Sequence, residues 1–281
     1  MARPPPYFKG KYPVSEPKHA DNLRRGCLGL YKDLIRGRFA LLPGILGRFL
    51  ELALTERVHP LMPDVIFNGP EGRLEGRYQP GKTPNAPVAL ILHPHPQFGG
   101  TMNNKVVYHL FHAFAQRGFA TLRFNFRGVG RSQGEFDNGI GELSDAAAAL
   151  DWLQTFNTDA PATWVAGFSF GAWISMQLLM RRPEIQGFIS VAPPADKYDF
   201  TFLAPCPSSG LMVQGTADDI VAPASVQKLI EKLKQQKAIT IDQSIIEGGD
   251  HFFEGKLEEM IGEVNAYLDK RLLNEALSSG G

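Results

Sequence analysis

The chain has 281 residues, 43% of them hydrophobic, and its 29 Lys+Arg balance 29 Asp+Glu. That length suffices to bury one large core, and neutrality excludes the basic surplus with which a nucleic-acid binder grips phosphates. Two cysteines, Cys27 and Cys206, supply no disulfide framework and fit a reducing, cytoplasmic setting, and no stretch reaches the roughly eighteen apolar residues that would span a bilayer.

The charge is unevenly spread. Residues 1–61 hold 11 Lys+Arg against 5 Asp+Glu, and residues 62–281 hold 18 against 24. The texture changes at the same point, so the two parts are read separately. Residues 1–22 are rich in proline and lysine without periodicity. Residues 26–58 carry two apolar stretches dotted with arginine, parted by Pro43-Gly44, which allow a pair of short amphipathic helices. Such an arm could lie on a membrane surface or a partner. The preferred reading is a poorly ordered extension with no part in chemistry, with Met62 as an alternative start. A cleaved targeting peptide is disfavoured by Glu16, Asp21 and Asp33.

From Met62 the pattern is regular. Val65–Phe67 and Leu74–Tyr78, joined by Asn-Gly-Pro-Glu-Gly, read as an antiparallel hairpin. Strands then alternate with helices. Strand Val88–Leu92 precedes helix Lys105–Arg117, and strand Phe119–Phe126 precedes helix Gly141–Phe156, apolar at Leu143, Ala147, Leu150 and Leu153. The run Trp164-Val165-Ala166 enters Gly167-Phe168-Ser169-Phe170-Gly171, and a helical stretch follows at once. Strands Phe188–Val191 and Leu211–Gln214, helix Ala224–Gln236, strand Ile239–Ile246 and helix Lys256–Leu273 complete the chain, with Lys270 and Arg271 suited to a helix C-terminus. This alternation demands an α/β fold: a mostly parallel sheet of about eight strands, helices on both faces, and ligands at the carboxyl ends of the strands. The expected organisation is an N-terminal extension (1–61), one α/β domain (62–273) and a flexible tail (274–281).

Two segments fit G-x-S-x-G. Ser132 lies in the glycine-rich, charged GVGRSQGEFDNG with no helix directly after it, which reads as a loop. Ser169 has a strand before it and a helix after it, so it stands at the apex of a tight turn. The flanking glycines let strand and helix pass closely. A serine hydroxyl needs a histidine to take its proton and an acid to orient that histidine. Only His251 of the seven histidines follows Ser169, in the loop Gly-Gly-Asp-His-Phe-Phe. Asp218 is the preferred acid, with Asp219 its close rival and Asp196 more distant. For a developing oxyanion two N–H donors are required. Phe170, first in the helix, is one. His95 in His93-Pro94-His95-Pro96-Gln97 is the other, since neither proline has an N–H, and Gln97 is the fallback. The His-x-His pair with His109 and His112 also suggests a metal site, but no carboxylate or cysteine cluster completes it. No metal and no cofactor are expected.

HPHP at 93–96, RGVGRSQG at 127–134, GFSFG at 167–171, GTAD at 215–218 and DH at 250–251 together resemble the α/β-hydrolase superfamily. The run HPHPQFGGTMNNKVV with RFNFRGVGRSQGEFD and GFSFGAW is similar to a compact bacterial branch of it. Pro94 stands where that family usually carries glycine. The resemblance covers about 62–273, makes Ser132 a structural turn and Ser169 the nucleophile, and implies a serine hydrolase acting on a small-molecule acyl substrate. Only Ala192–Gly210 separates two successive strands, too little for a lid domain. A non-catalytic module of the same fold, or an acyltransferase with the same three residues, are the alternatives. The sequence assigns no oligomeric state.

Overall fold

The computed structural model describes residues 64–279, so the expected extension 1–61, its two amphipathic helices and Cys27 lie outside the described residues. The sheet begins with the hairpin β1 (Asp64–Gly69) and β2 (Gly72–Gln79), paired antiparallel with Phe67 opposite Leu74. Strands β3 (Val88–Leu92), β4 (Ala120–Phe124), β5 (Thr163–Phe168), β6 (Ile185–Val191), β7 (Gly210–Gly215) and β8 (Ile241–Ile246) follow. The eight strands lie in the order β1-β2-β4-β3-β5-β6-β7-β8. All neighbours from β4 onward are parallel, and β2 meets β4 antiparallel.

Among the described residues, five helices cover the two faces: α1 (Lys105–Gln116), α2 (Ile140–Thr155), α3 (Phe170–Leu179), α4 (Pro223–Lys234) and α5 (Leu257–Ser279). The central strands are buried on both sides, and their residues alternate between two cores. Val88, Leu90 and Leu92 of β3 point into the core shared with α2, α3 and α4, whereas Ala89 and Ile91 point into the core shared with α1 and α5. A two-residue period on a strand covered on both faces gives this split directly. Helix α1 starts where the Asn104 side chain accepts the N–H groups of Val106 and Val107, and the chain leaves it through Gly118 at φ +93°.

Two expectations are corrected. Helix α5 does not end at Leu273 but runs to Ser279, because Asn-Glu-Ala-Leu contains no helix breaker before Gly280. Lys270 and Arg271 are therefore interior to the helix. Lys270 bonds Asp242 of β8, and the Arg271 guanidinium lies 5.0 Å from the Trp164 ring centroid. In α2, Leu150 and Leu153 are buried as expected, but Leu143 and Ala147 are half-buried. Their place in the interior is taken by the carboxylates of Glu142 and Asp145. Asp145 receives Arg127 at 2.8 Å. Glu142 accepts the N–H groups of Asp137 and Gly139, closing the first turn of the helix.

Between β6 and β7 the chain forms a loop with one 3-10 turn, Thr201–Leu203, and no inserted domain. Among the described residues, no inserted lid covers the carboxyl ends of the parallel strands.

Candidate active site

At the end of β5 the chain reverses sharply into α3. Ser169 occupies the turn with φ 54° and ψ −118°, a backbone region costly for any side chain. Its N–H donates to Val191 O at 2.9 Å, and its carbonyl receives the first α3 amides, Ala172 and Trp173. A Cβ at Gly171 would fall on the carbonyl oxygens of Leu92 and His93, and one at Gly167 on the carbonyl of Gly171. Glycine at both positions lets α3 lie against β3 and β5, and the same close approach holds the serine in its strained pose.

Three residues remote in sequence meet there. His251 Nε2 lies 3.0 Å from Ser169 Oγ, and His251 Nδ1 lies 2.8 Å from Asp218 Oδ2. Asp218 sits in the turn after β7, beyond water. Its Oδ1 accepts the N–H groups of Ile220 and Val221, and Oδ2 also accepts Gln214 Nε2 at 2.9 Å. Burial alone would raise this carboxyl group, but the hydrogen bond and charge of His251, with the Val221 and Gln214 donors, outweigh it and hold its pKa below the ordinary value. Of the sequence rivals, Asp219 is exposed. Asp196 is occupied by Lys197 and the Ala222 N–H. The arrangement lets an imidazole with its proton on Nδ1 accept the serine proton at Nε2.

The loop after β3 is fastened at both ends to β4. His93 is fully buried; its Nε2 accepts the Phe126 N–H at 3.0 Å and its Nδ1–H donates to Pro94 O at 2.6 Å. Burial, opposed only in part by the Pro94 bond, pushes its pKa down to about 3, so the ring stays neutral. Both ring nitrogens are engaged with backbone, which withdraws His93 from the metal reading. In a trans peptide the carbonyl and the next N–H point in opposite directions. Drawing Pro94 O toward His93 therefore aims the His95 N–H away from it. At the far end, Met102 is clamped by Asn125 Oδ1 on its N–H and by Arg123 on its carbonyl.

No backbone acceptor among the described residues takes the N–H of His95 or of Phe170, the two sequence-predicted donors. The fallback donor Gln97 is different, because its N–H already donates to the His95 ring at 3.2 Å. That ring is packed between Phe98, Phe136 and Phe170, and burial lowers its pKa to about 4.

Ser132 has a different surrounding. Its Oγ donates to Asn125 O at 2.7 Å and accepts the Glu75 N–H at 3.0 Å, so it ties β2 to the turn after β4 and faces no histidine. Sequence reasoning missed His93 as an anchor, Gln214 as a second donor to Asp218, and the Arg123–Asn125 clamp. The only sequence signal for the first is the His-Pro-His-Pro run itself, in which neither proline supplies an N–H donor.

Comparisons with known proteins bear on the family and the fold. The X-Pro dipeptidyl-peptidase (S15) family matches residues 77–210. A crystal structure of a candidate α/β hydrolase from Agrobacterium tumefaciens is 64% identical, covers 76% of this chain and 98% of its own, and superposes with a TM-score of 0.75. An α/β serine hydrolase homologue from Coxiella burnetii is 38% identical over 73% of this chain and 97% of its own, with a TM-score of 0.65. A serine hydrolase without a lid from Xanthomonas campestris is 35% identical over 75% and 97%, with a TM-score of 0.66.

Proposed function

The chain belongs to the α/β-hydrolase superfamily, in its compact lidless bacterial branch, and on that premise we propose that it hydrolyses acyl esters or thioesters through an acyl-enzyme. The observation that carries this reading is the continuous hydrogen-bonded line from Ser169 Oγ through His251 to Asp218. Ser169 attacks the carbonyl carbon as His251 Nε2 takes its proton. Asp218 keeps the imidazole in the required tautomer and stabilises the imidazolium that forms. The N–H groups of His95 and Phe170 receive the negative charge of the tetrahedral intermediate. The imidazolium returns the proton to the leaving group, and water activated by the same imidazole cleaves the acyl-serine.

The partner is a small-molecule acyl substrate, and the setting is cytoplasmic, where the buried Cys206 thiol stays reduced. No helix among the described residues is long and apolar enough to cross a membrane. The match to a dipeptidyl-peptidase family over 77–210 supports a second reading, attack on a peptide carbonyl by the same groups.

The test is turnover of a panel of p-nitrophenyl esters, thioesters and X-Pro dipeptide anilides by wild type and Ser169→Ala, with fluorophosphonate labelling alongside. Wild type is expected to label at Ser169 and to cleave esters, and Ser169→Ala to lose about 10⁴–10⁶ in kcat. Equal ester turnover in the variant would end the proposal, and cleavage of anilides in preference to esters would favour the peptidase reading. Unlabelled, inactive wild type would leave a binding module, and acyl transfer to an added alcohol in place of hydrolysis would mark a transferase.

A further inference from the structure

Around the proposed nucleophile the surface is apolar and, at its rim, negatively charged. Phe170, next to Ser169, has the rings of His95, Phe136, Trp173 and Tyr198 within 6.0 Å of its own. Trp173 and Tyr198 stack at 4.2 Å, and Phe98, against His95, is 43% exposed. Such a wall favours apolar acyl groups by burial and ring contact. Several residues flanking it in the chain are acidic. Glu135 and Asp137 bracket Phe136, Asp199 follows Tyr198, Asp219 follows the Asp218 carboxylate, and all four are exposed.

Cations on the same strand-end loops do not offset this. Arg127 is buried against Asp145 at 2.8 Å, Arg131 reaches Glu75 at 2.7 Å, and Lys197 reaches Asp196 at 3.1 Å. Lys256 is engaged by Glu259, and Lys105, where α1 begins, by Glu254. Glu135, Asp137, Asp219 and Glu247 form no ion pair among the described residues. The ring of His95 in the wall is neutral above about pH 4. Among the described residues, a polyanion approaching Ser169 therefore meets unpaired carboxylates and no unengaged cation on these loops.

Resting on the acyl-hydrolase reading above, we propose that the substrate is an apolar acyl group carried by a neutral or cationic alcohol or thiol, and that polyanionic carriers such as coenzyme A are rejected at the rim. The selection is electrostatic, so it acts on capture of the substrate and weakens as salt screens the rim.

The experiment compares phenylacetyl-coenzyme A with phenylacetyl-N-acetylcysteamine, which share the acyl group and the thioester and differ in charge. The full chain is used at low and high ionic strength, as wild type, Ser169→Ala and Glu135→Lys/Asp137→Lys. Expected is a kcat/KM at least about tenfold higher for the neutral thioester at low salt, converging as salt rises. The double lysine variant, altered only at exposed positions, should narrow that ratio and leave turnover of the neutral thioester unchanged. Equal or faster use of the coenzyme A thioester, with Ser169→Ala inactive on both, overturns the rim proposal and leaves the acyl-hydrolase reading standing. A ratio that neither salt nor the double variant moves also overturns it. No turnover of either thioester, with no fluorophosphonate labelling, overturns both.

Discussion

Replacing His93 by leucine tests whether one buried imidazole aims the oxyanion donor. Leucine fills similar space but forms neither hydrogen bond, so the Phe126 N–H and the Pro94 carbonyl are left buried and unpaired. At about 1–3 kcal/mol for each stranded group, the fold should lose roughly 2–6 kcal/mol. The Pro94–His95 peptide, freed from its anchor, no longer holds the His95 N–H in one direction. Loss of one oxyanion donor costs about 10²–10³ in kcat. KM should hardly change, because the donor grips the tetrahedral oxyanion more tightly than the ground-state carbonyl. Urea unfolding and steady-state kinetics on a neutral thioester measure the two effects separately. His95→Leu keeps the backbone N–H and should lose far less kcat. Should His93→Leu lose stability as forecast while kcat stays within a few-fold of wild type, the anchor does not aim the donor, and the assignment of His95 is refuted.

The remaining expectations concern the scaffold and its titration. Asp145→Asn removes the charge facing the buried Arg127 guanidinium and should destabilise the fold by about 3–5 kcal/mol in chemical denaturation. Ser132→Ala cancels two buried hydrogen bonds; it should lower stability by about 1–3 kcal/mol and leave acyl turnover nearly intact, in contrast to Ser169→Ala. Because His93 is held neutral down to about pH 3, against 6.5 in the unfolded chain, the unfolded state alone takes up this proton as pH falls through that window. Stability should drop there by up to about 1.4 kcal/mol per pH unit from this group, and His93→Leu should flatten that part of the profile. The lowered Asp218 carboxyl group acts in the same sense at more acid pH, its contribution being present above the ordinary carboxylate value and lost as pH falls through the folded one.

Much of this was legible in the chain because it is local. The strand, Gly-x-Ser-x-Gly turn and helix around Ser169 lie within consecutive residues, and the alternation of strands and helices fixed which loops share one edge of the sheet. Asp218 and His251 followed from chain order and from their places after β7 and β8. What stayed hidden depends on contacts between distant segments. Glu142 and Asp145 break the apolar pattern of α2, and only Arg127 and the turn before the helix explain why they are inside. The anchoring role of His93 was hidden because pattern alone does not show that Phe126 and Pro94 occupy both its nitrogens. The prolonged α5 shows that a fall in hydrophobicity at 274 did not mark the end of the helix.

The short link between β6 and β7 bears on how an acylated Ser169 would be discharged. Among the described residues no inserted domain closes over the intermediate, so this link leaves the acyl carbon open to solvent. An alcohol or amine acceptor would have to displace bulk water without an enclosing chamber to concentrate it. Under the proposed mechanism, this short link tilts the fate of the intermediate toward hydrolysis.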